Sequence, residues 1–237
     1  MEENKQVEVN ANLISFWNEA IGLDDKMRKE LLMHIVPEQY AKLAPSEKLF
    51  EAVERLGQCR RVLDYGCGSG WASIIAAHSG CKSVTAADRG EKIIDSAKFH
   101  ANAYKVGDRI ETVRISENWL KSVPSESYDG IVCSNVIDVV PIETSREIVR
   151  ELSRVAEKGA TIVIGLNFYM SKEMAEKRGI ELVEDRYLFA DGVLRLTSMS
   201  DEEWRDILSQ CFTVEKLDHF AWPGEEKETR RLFLLTK

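Results

Sequence analysis

The 237-residue chain carries 32 basic against 40 acidic side chains, a net charge of −8, with 44% apolar residues. That length and apolar content suit one domain with elaborations, while the acidic balance argues against a protein that grips a phosphate backbone. Five cysteines without a C-x-x-C pair read as reduced thiols of a cytoplasmic protein, and no apolar stretch approaches the roughly 20 residues of a membrane helix.

The N-terminus, MEENKQVEVNANLISFW, is too acidic and polar for a signal peptide. Residues 12–57 read as helices: NLISFWNEAIG and DDKMRKELLMHIV have helical apolar spacing, Pro37 interrupts, and PSEKLFEAVERLG starts at Pro45-Ser46 and stops at Gly57. From residue 60, strands at 60–65, 82–87, 109–115, 128–134 and 160–167 alternate with helices at 70–79, 91–105 and 143–157. Such alternation predicts a doubly wound α/β fold with a mostly parallel sheet. Beyond residue 167 the spacing loosens into a short helix (SKEMAEKRG), a hairpin turning at Asp191-Gly192, and a helix opened by a Ser200–Glu203 capping box. FTVEKLDHFAW and RRLFLLTK close the chain as an antiparallel pair at one edge. The expected division is a helical cap over 1–57 and an α/β unit over 58–237, with an insertion at about 170–200.

Chemistry concentrates in RRVLDYGCGSG. Gly66, Gly68 and Gly70 lie where the first strand turns into a helix, so backbone can meet a ligand with no Cβ between. Asp88 ends the second strand twenty residues after Gly68, where a carboxylate can accept from both ribose hydroxyls of a nucleoside. A dinucleotide fingerprint needs Gly or Ala five positions after its first glycine, and Trp71 and Ser73 occupy the two candidate positions. Asp64, two residues before Gly66, is ill-placed beside a pyrophosphate. It suits a ligand with an ammonium and a sulfonium.

VLDYGCGSG resembles the first motif of the class I S-adenosylmethionine-dependent methyltransferases, acid-x-Gly-x-Gly-x-Gly after an apolar strand. The resemblance covers roughly residues 60–167 and continues through Asp88, Glu117-Asn118 and Tyr128-Asp129. It implies a seven-stranded sheet with an antiparallel last strand, S-adenosyl-L-methionine as cofactor, and a cofactor site built from Asp64, Tyr65, Gly66, Cys67, Gly68, Gly70, Asp88, Arg89, Glu117, Asn118, Trp119 and Asn135. Asp64 would face the ammonium, and Asn118 and Trp119 the adenine, Trp119 alternatively only covering the core. Trp17 and Phe16 would close over the cofactor or merely fill an amphipathic face. Asp138, where many relatives carry His, is the candidate catalytic residue, with a helix or loop cap as its other reading. Asn135 opens NVID and not the Asn/Asp-Pro-Pro-Tyr signature of nucleobase amino methylation.

The implied activity is methyl transfer to a small molecule, with residues 12–57 and 170–200 as a lid whose wall includes Phe16, Trp17, Tyr187 and Phe189. The alternatives are a protein or RNA methyltransferase and a non-catalytic cofactor-binding module. A homodimer fits either reading. Cys133 reads as core, His219 and Trp222 as surface or core, and PGEEKETRR as a solvated turn.

Overall fold

The computed structural model describes residues 3–237. Its strands are β1 (Val62–Tyr65), β2 (Val84–Asp88), β3 (Ile110–Arg114), β4 (Tyr128–Ser134), β5 (Ala156–Leu166), β6 (Tyr187–Ala190), β7 (Val193–Thr197), β8 (Thr213–Phe220) and β9 (Arg230–Thr236). The helices are α1 (Glu3–Ile21), α2 (Asp25–Leu32), α3 (Glu47–Glu54), α4 (Trp71–His78), α5 (Glu91–Ala103), α6 (Trp119–Ser122), α7 (Ile142–Val155), α8 (Lys172–Lys177) and α9 (Asp201–Ser209).

Seven strands form one sheet in the order β3-β2-β1-β4-β5-β9-β8. All four residues of β1 are buried, as a strand covered on both faces must be. It pairs in parallel with β2 and with β4, Leu63 lying opposite Thr85 on one side and Ile131 on the other. Strand order reverses there, so a crevice opens at the carboxyl ends of β1 and β4. The last strand, β9, runs antiparallel to both neighbours and lies inside the sheet, with β8 at the edge. The reason is compositional. Leu232, Phe233 and Leu235 make β9 apolar on both faces, whereas β8 shows solvent Glu215 and Lys216, charges that blunt an edge.

α3 and α4 share one apolar layer, in which Leu49, Val53 and Leu56 pack with Ile74, Ile75 and Val62. Residues 44–57 thus form part of the sheet's cover. The opposite layer holds α7 and α9, with Trp204 fully buried beside Leu152 and Leu208. Asp191 and Gly192 are both left-handed (φ 52° and 73°), the geometry that the tight β6–β7 hairpin requires. Ser200 and Glu203 cap α9 reciprocally.

Candidate cofactor site

The loop from β1 into α4 is folded back on β2, with Gly66 and Cys67 both donating to the Ala87 carbonyl. Gly66 and Gly68 need glycine for different reasons. At Gly66 (φ 73°) a Cβ would collide with Val136 Cγ2, so the residue serves packing. At Gly68 (φ 54°) it would meet only Ile21 Cδ1 at 3.7 Å, so the backbone is bare toward a cavity. The Asp88 carboxylate fixes this turn. One oxygen accepts from Gly68 N at 3.2 Å and the other from Gly90 N at 3.1 Å. Burial pushes its carboxyl up from the usual range, and those backbone donors oppose the rise.

In front of the loop lies a cavity of about 390 Å³. The tips of β1, β2 and β4 form its floor through Tyr65, Asp88 and Ser134, and α1 covers it with Leu13, Ile14, Trp17 and Ile21. α1 is strapped at both ends. Asn18 Oδ1 accepts from Lys92 N at 2.8 Å, and Glu19 pairs with Lys92 at 2.6 Å. Further toward the N-terminus the Arg195 guanidinium lies 3.4 Å over the Phe16 ring, and Val9 packs with Tyr187 and Leu194.

Of the residues expected at a cofactor site, Trp17, Tyr65, Gly66, Cys67, Gly68, Asp88, Arg89, Glu117 and Asn135 meet on this cavity. Asn135 is left-handed (φ 57°) and donates its N–H to Gly165 at the end of β5. The four others, and the candidate catalytic Asp138, stand elsewhere. Asp64 is buried behind the loop, accepting from Ser73 N at 3.0 Å and Ser73 Oγ at 2.6 Å, so its carboxylate holds α4 and does not reach the cavity. Gly70 precedes α4 where a Cβ would touch Ala97 of α5 at 3.4 Å. Asn118 is exposed, and Trp119 packs on the core while Leu120 and Lys121 of the same turn take the wall. Asp138 is fully buried. Its Oδ2 accepts from Asn167 N at 2.5 Å and its carbonyl from Thr197 N at 2.7 Å, a staple between the β4 and β5 loops and the insertion. Facing the cleft, as a catalytic base must, is not its position.

Nor does the insertion line the cavity. Of the aromatics expected in its wall only Trp17 is there, while Phe16, Tyr187 and Phe189 pack around α1. Pro45, Thr144, Ile148 and Trp222 complete the wall instead. The amphipathic pattern of α7 marks an apolar face without marking what lies across from it, and Trp222 carries no local signal at all.

Burial raises the Asp64 carboxyl to about 6, against the lowering pull of the Ser73 donors. An acid raised in the fold favours the folded state below its unfolded value, and that stabilisation is lost as pH climbs through about 6. Asp64→Asn keeps an oxygen for Ser73 and removes the titration. Its melting temperature is therefore expected to fall less than wild type's between pH 4 and pH 7, by the equivalent of about 3 kcal/mol. Parallel melting curves across that window would disprove the assignment.

Residues 62–159 match the family model described as Methyltransferase domain. That stretch is a methyltransferase domain, and the 3-2-1-4-5 parallel order with the Gly68–Asp88 pairing gives the chain the class I fold of S-adenosylmethionine-dependent methyltransferases. Its cofactor is S-adenosylmethionine. The methyltransferase domain is 32% identical over 127 residues to ribosomal protein L11 methyltransferase of Acetivibrio thermocellus, covering 52% of this chain and 38% of that protein. It is 24% identical over 150 residues to ubiquinone biosynthesis O-methyltransferase of Neisseria meningitidis, covering 63% and 58%. The chain thus spans less than two thirds of either relative. Among solved structures, a methyltransferase from Methanosarcina mazei superposes with TM-score 0.63 at 23% identity, over 75% of this chain and 92% of that one. The N-methyltransferase NodS of Bradyrhizobium japonicum, bound to S-adenosyl-L-homocysteine, superposes with TM-score 0.62 at 16% identity, over 95% and 98%. The methyltransferase cavity fits the cofactor on its own evidence: a glycine whose missing Cβ leaves space, an acid at the strand tip, and apolar walls between. Among the described residues no helix is long and apolar enough to cross a membrane.

Proposed function

We propose that this protein transfers a methyl group from S-adenosylmethionine to a small-molecule acceptor. The observation that carries the reading is the convergence of Asp88 and the bare Gly68 on one cavity covered by α1. Asp88 accepts from the two ribose hydroxyls, and the Gly66–Ser69 backbone receives the methionyl end. Arg89, paired with Glu117 at 3.8 Å, flanks the base between Ile115 and Leu120. Bound there, the cofactor supplies an electrophilic methyl on a sulfonium, which an acceptor atom displaces in line.

The chain's own part is positioning and exclusion of water. Burial drives the Tyr65 phenol strongly upward, so Tyr65 is no base at neutral pH. Trp17 and Ile14 of α1 shield the reacting centre, and the straps at Lys92 and Arg195 hold that helix down. A covered cavity favours a small acceptor over a macromolecular one, and the net charge of −8 opposes RNA.

S-adenosylhomocysteine at about a hundred times its Kd is expected to raise the melting temperature by roughly 5–10 °C, and NAD to leave it unchanged. Stabilisation by NAD alone would overturn the cofactor placement. Transfer of labelled methyl to protein or RNA, with none to a metabolite fraction, would overturn the acceptor class.

A further inference from the structure

Trp222 stands just past the carboxyl end of β8 and lines the cavity while 36% exposed. An exposed indole in a solvated turn needs no support, yet this one is held from several sides. Arg230, itself buried, lies 3.6 Å over the ring. Glu225 receives Arg230 Nε at 2.9 Å and Nη2 at 2.7 Å, and also the Trp222 backbone N–H at 2.8 Å. Glu225 N returns to the Trp222 carbonyl at 3.0 Å, and Arg230 Nη1 donates to Asn167 Oδ1 just past β5. Asn167, 63 positions before Arg230, thus anchors the guanidinium that lies over the ring.

The place matters as much as the support. Asn167 follows the strand whose Gly165 carbonyl accepts from Asn135, so Trp222 lies on the β4–β5 side of the crevice, across from Asp88 at the tip of β2. The cofactor's ribose end is on that far side, and Trp222 is left for something else. Pro45 lines the same cavity, and Lys48, three residues on, donates to the carbonyl of His219 near the end of β8.

We infer that Trp222 is the platform on which the methyl acceptor lies, and that this acceptor carries a planar ring, uncharged or anionic, and not an ammonium group; the inference rests on the proposed methyl transfer. The charge preference follows from Arg230. Its guanidinium draws the π density of the indole toward one face, and Arg230 is absent from the cavity wall, so the ring surface turned to the cavity is the electron-poor one. A second cation meets repulsion there. A neutral or anionic ring does not.

Three probes of one shape test this: 2-naphthol, 2-naphthoate and 2-naphthylmethylammonium, titrated by calorimetry into the protein saturated with S-adenosylhomocysteine. Naphthol and naphthoate are expected to bind, and the ammonium about tenfold more weakly. Trp222→Leu is expected to weaken naphthol about tenfold and Trp222→Phe by less, both leaving S-adenosylhomocysteine affinity unchanged. Arg230→Gln should narrow the gap between the ammonium and naphthol. Equal binding of all three probes, no binding of any, or naphthol affinity indifferent to Trp222→Leu would each overturn the inference. Failure of S-adenosylhomocysteine itself to bind would instead defeat the underlying reading.

Discussion

Asp88→Ala is expected to lower S-adenosylhomocysteine affinity roughly 30- to 150-fold. A carboxylate that accepts two ribose hydroxyls makes charge-assisted hydrogen bonds worth about 2–3 kcal/mol together, and each 1.4 kcal/mol is a factor of ten. The same carboxylate also holds Gly68 N and Gly90 N, so its loss frees the turn that forms the cradle as well as the ligand contact. Asp88→Asn separates the two parts. It keeps an acceptor for Gly68 and loses the charge, so its affinity should fall between wild type and Asp88→Ala. The fold should survive both changes, because Asp88 sits at the cavity and not in either apolar layer. Calorimetry showing undiminished affinity in Asp88→Ala would remove this residue from the site.

The largest stability effect is expected at Trp204. It is fully buried in the layer between α7, α9 and the sheet, and Leu152, Leu208 and Phe212 belong to the same cluster. Trp204→Ala combines lost apolar transfer with a cavity that rigid neighbours do not close, a cost of about 3–5 kcal/mol. For a chain of this size that lowers the melting temperature by roughly 6–20 °C. Trp204→Phe should cost much less, about 1–2 kcal/mol, for a reason specific to this site. The indole Nε1 has no hydrogen-bond partner among the described residues, so replacing it with carbon forfeits no bond and relieves an unpaired donor. S-adenosylhomocysteine affinity should be unchanged in both variants, since Trp204 does not line the cavity. A Phe variant as unstable as the Ala variant would show that the indole's shape, and not its bulk alone, holds α9 in place.

The two acids flanking the glycine loop show where reading by residue stops. Asp64, next to last in β1, and Asp88, last in β2, both carry a carboxyl raised by burial. Their different directions depend on partners nine and twenty residues away: Ser73 on α4 takes Asp64, whereas Gly68 and Gly90 bring Asp88 to the cavity. Asp138 was drawn away from the cleft in the same manner, by Asn167 and by the return of the insertion at Thr197.

What the sequence by itself determined are features whose energetics are local. The Asp191-Gly192 turn, the Ser200–Glu203 cap, and the strand–helix alternation from residue 60 each depend on backbone preferences or apolar periods within a few residues. The spacing from Gly68 to Asp88 was legible too, because one βα unit and its following strand fix that distance. Only the tertiary structure decided that α3 belongs to the core, that the insertion braces α1 without entering the cavity, and that Trp222 is a wall. Each of these depends on which apolar or charged surfaces meet across the sheet. Arg230 carries nothing in its own neighbourhood to say that Asn167 will anchor it; the β5–β9 pairing brings the two together, and that pairing is a property of the whole sheet.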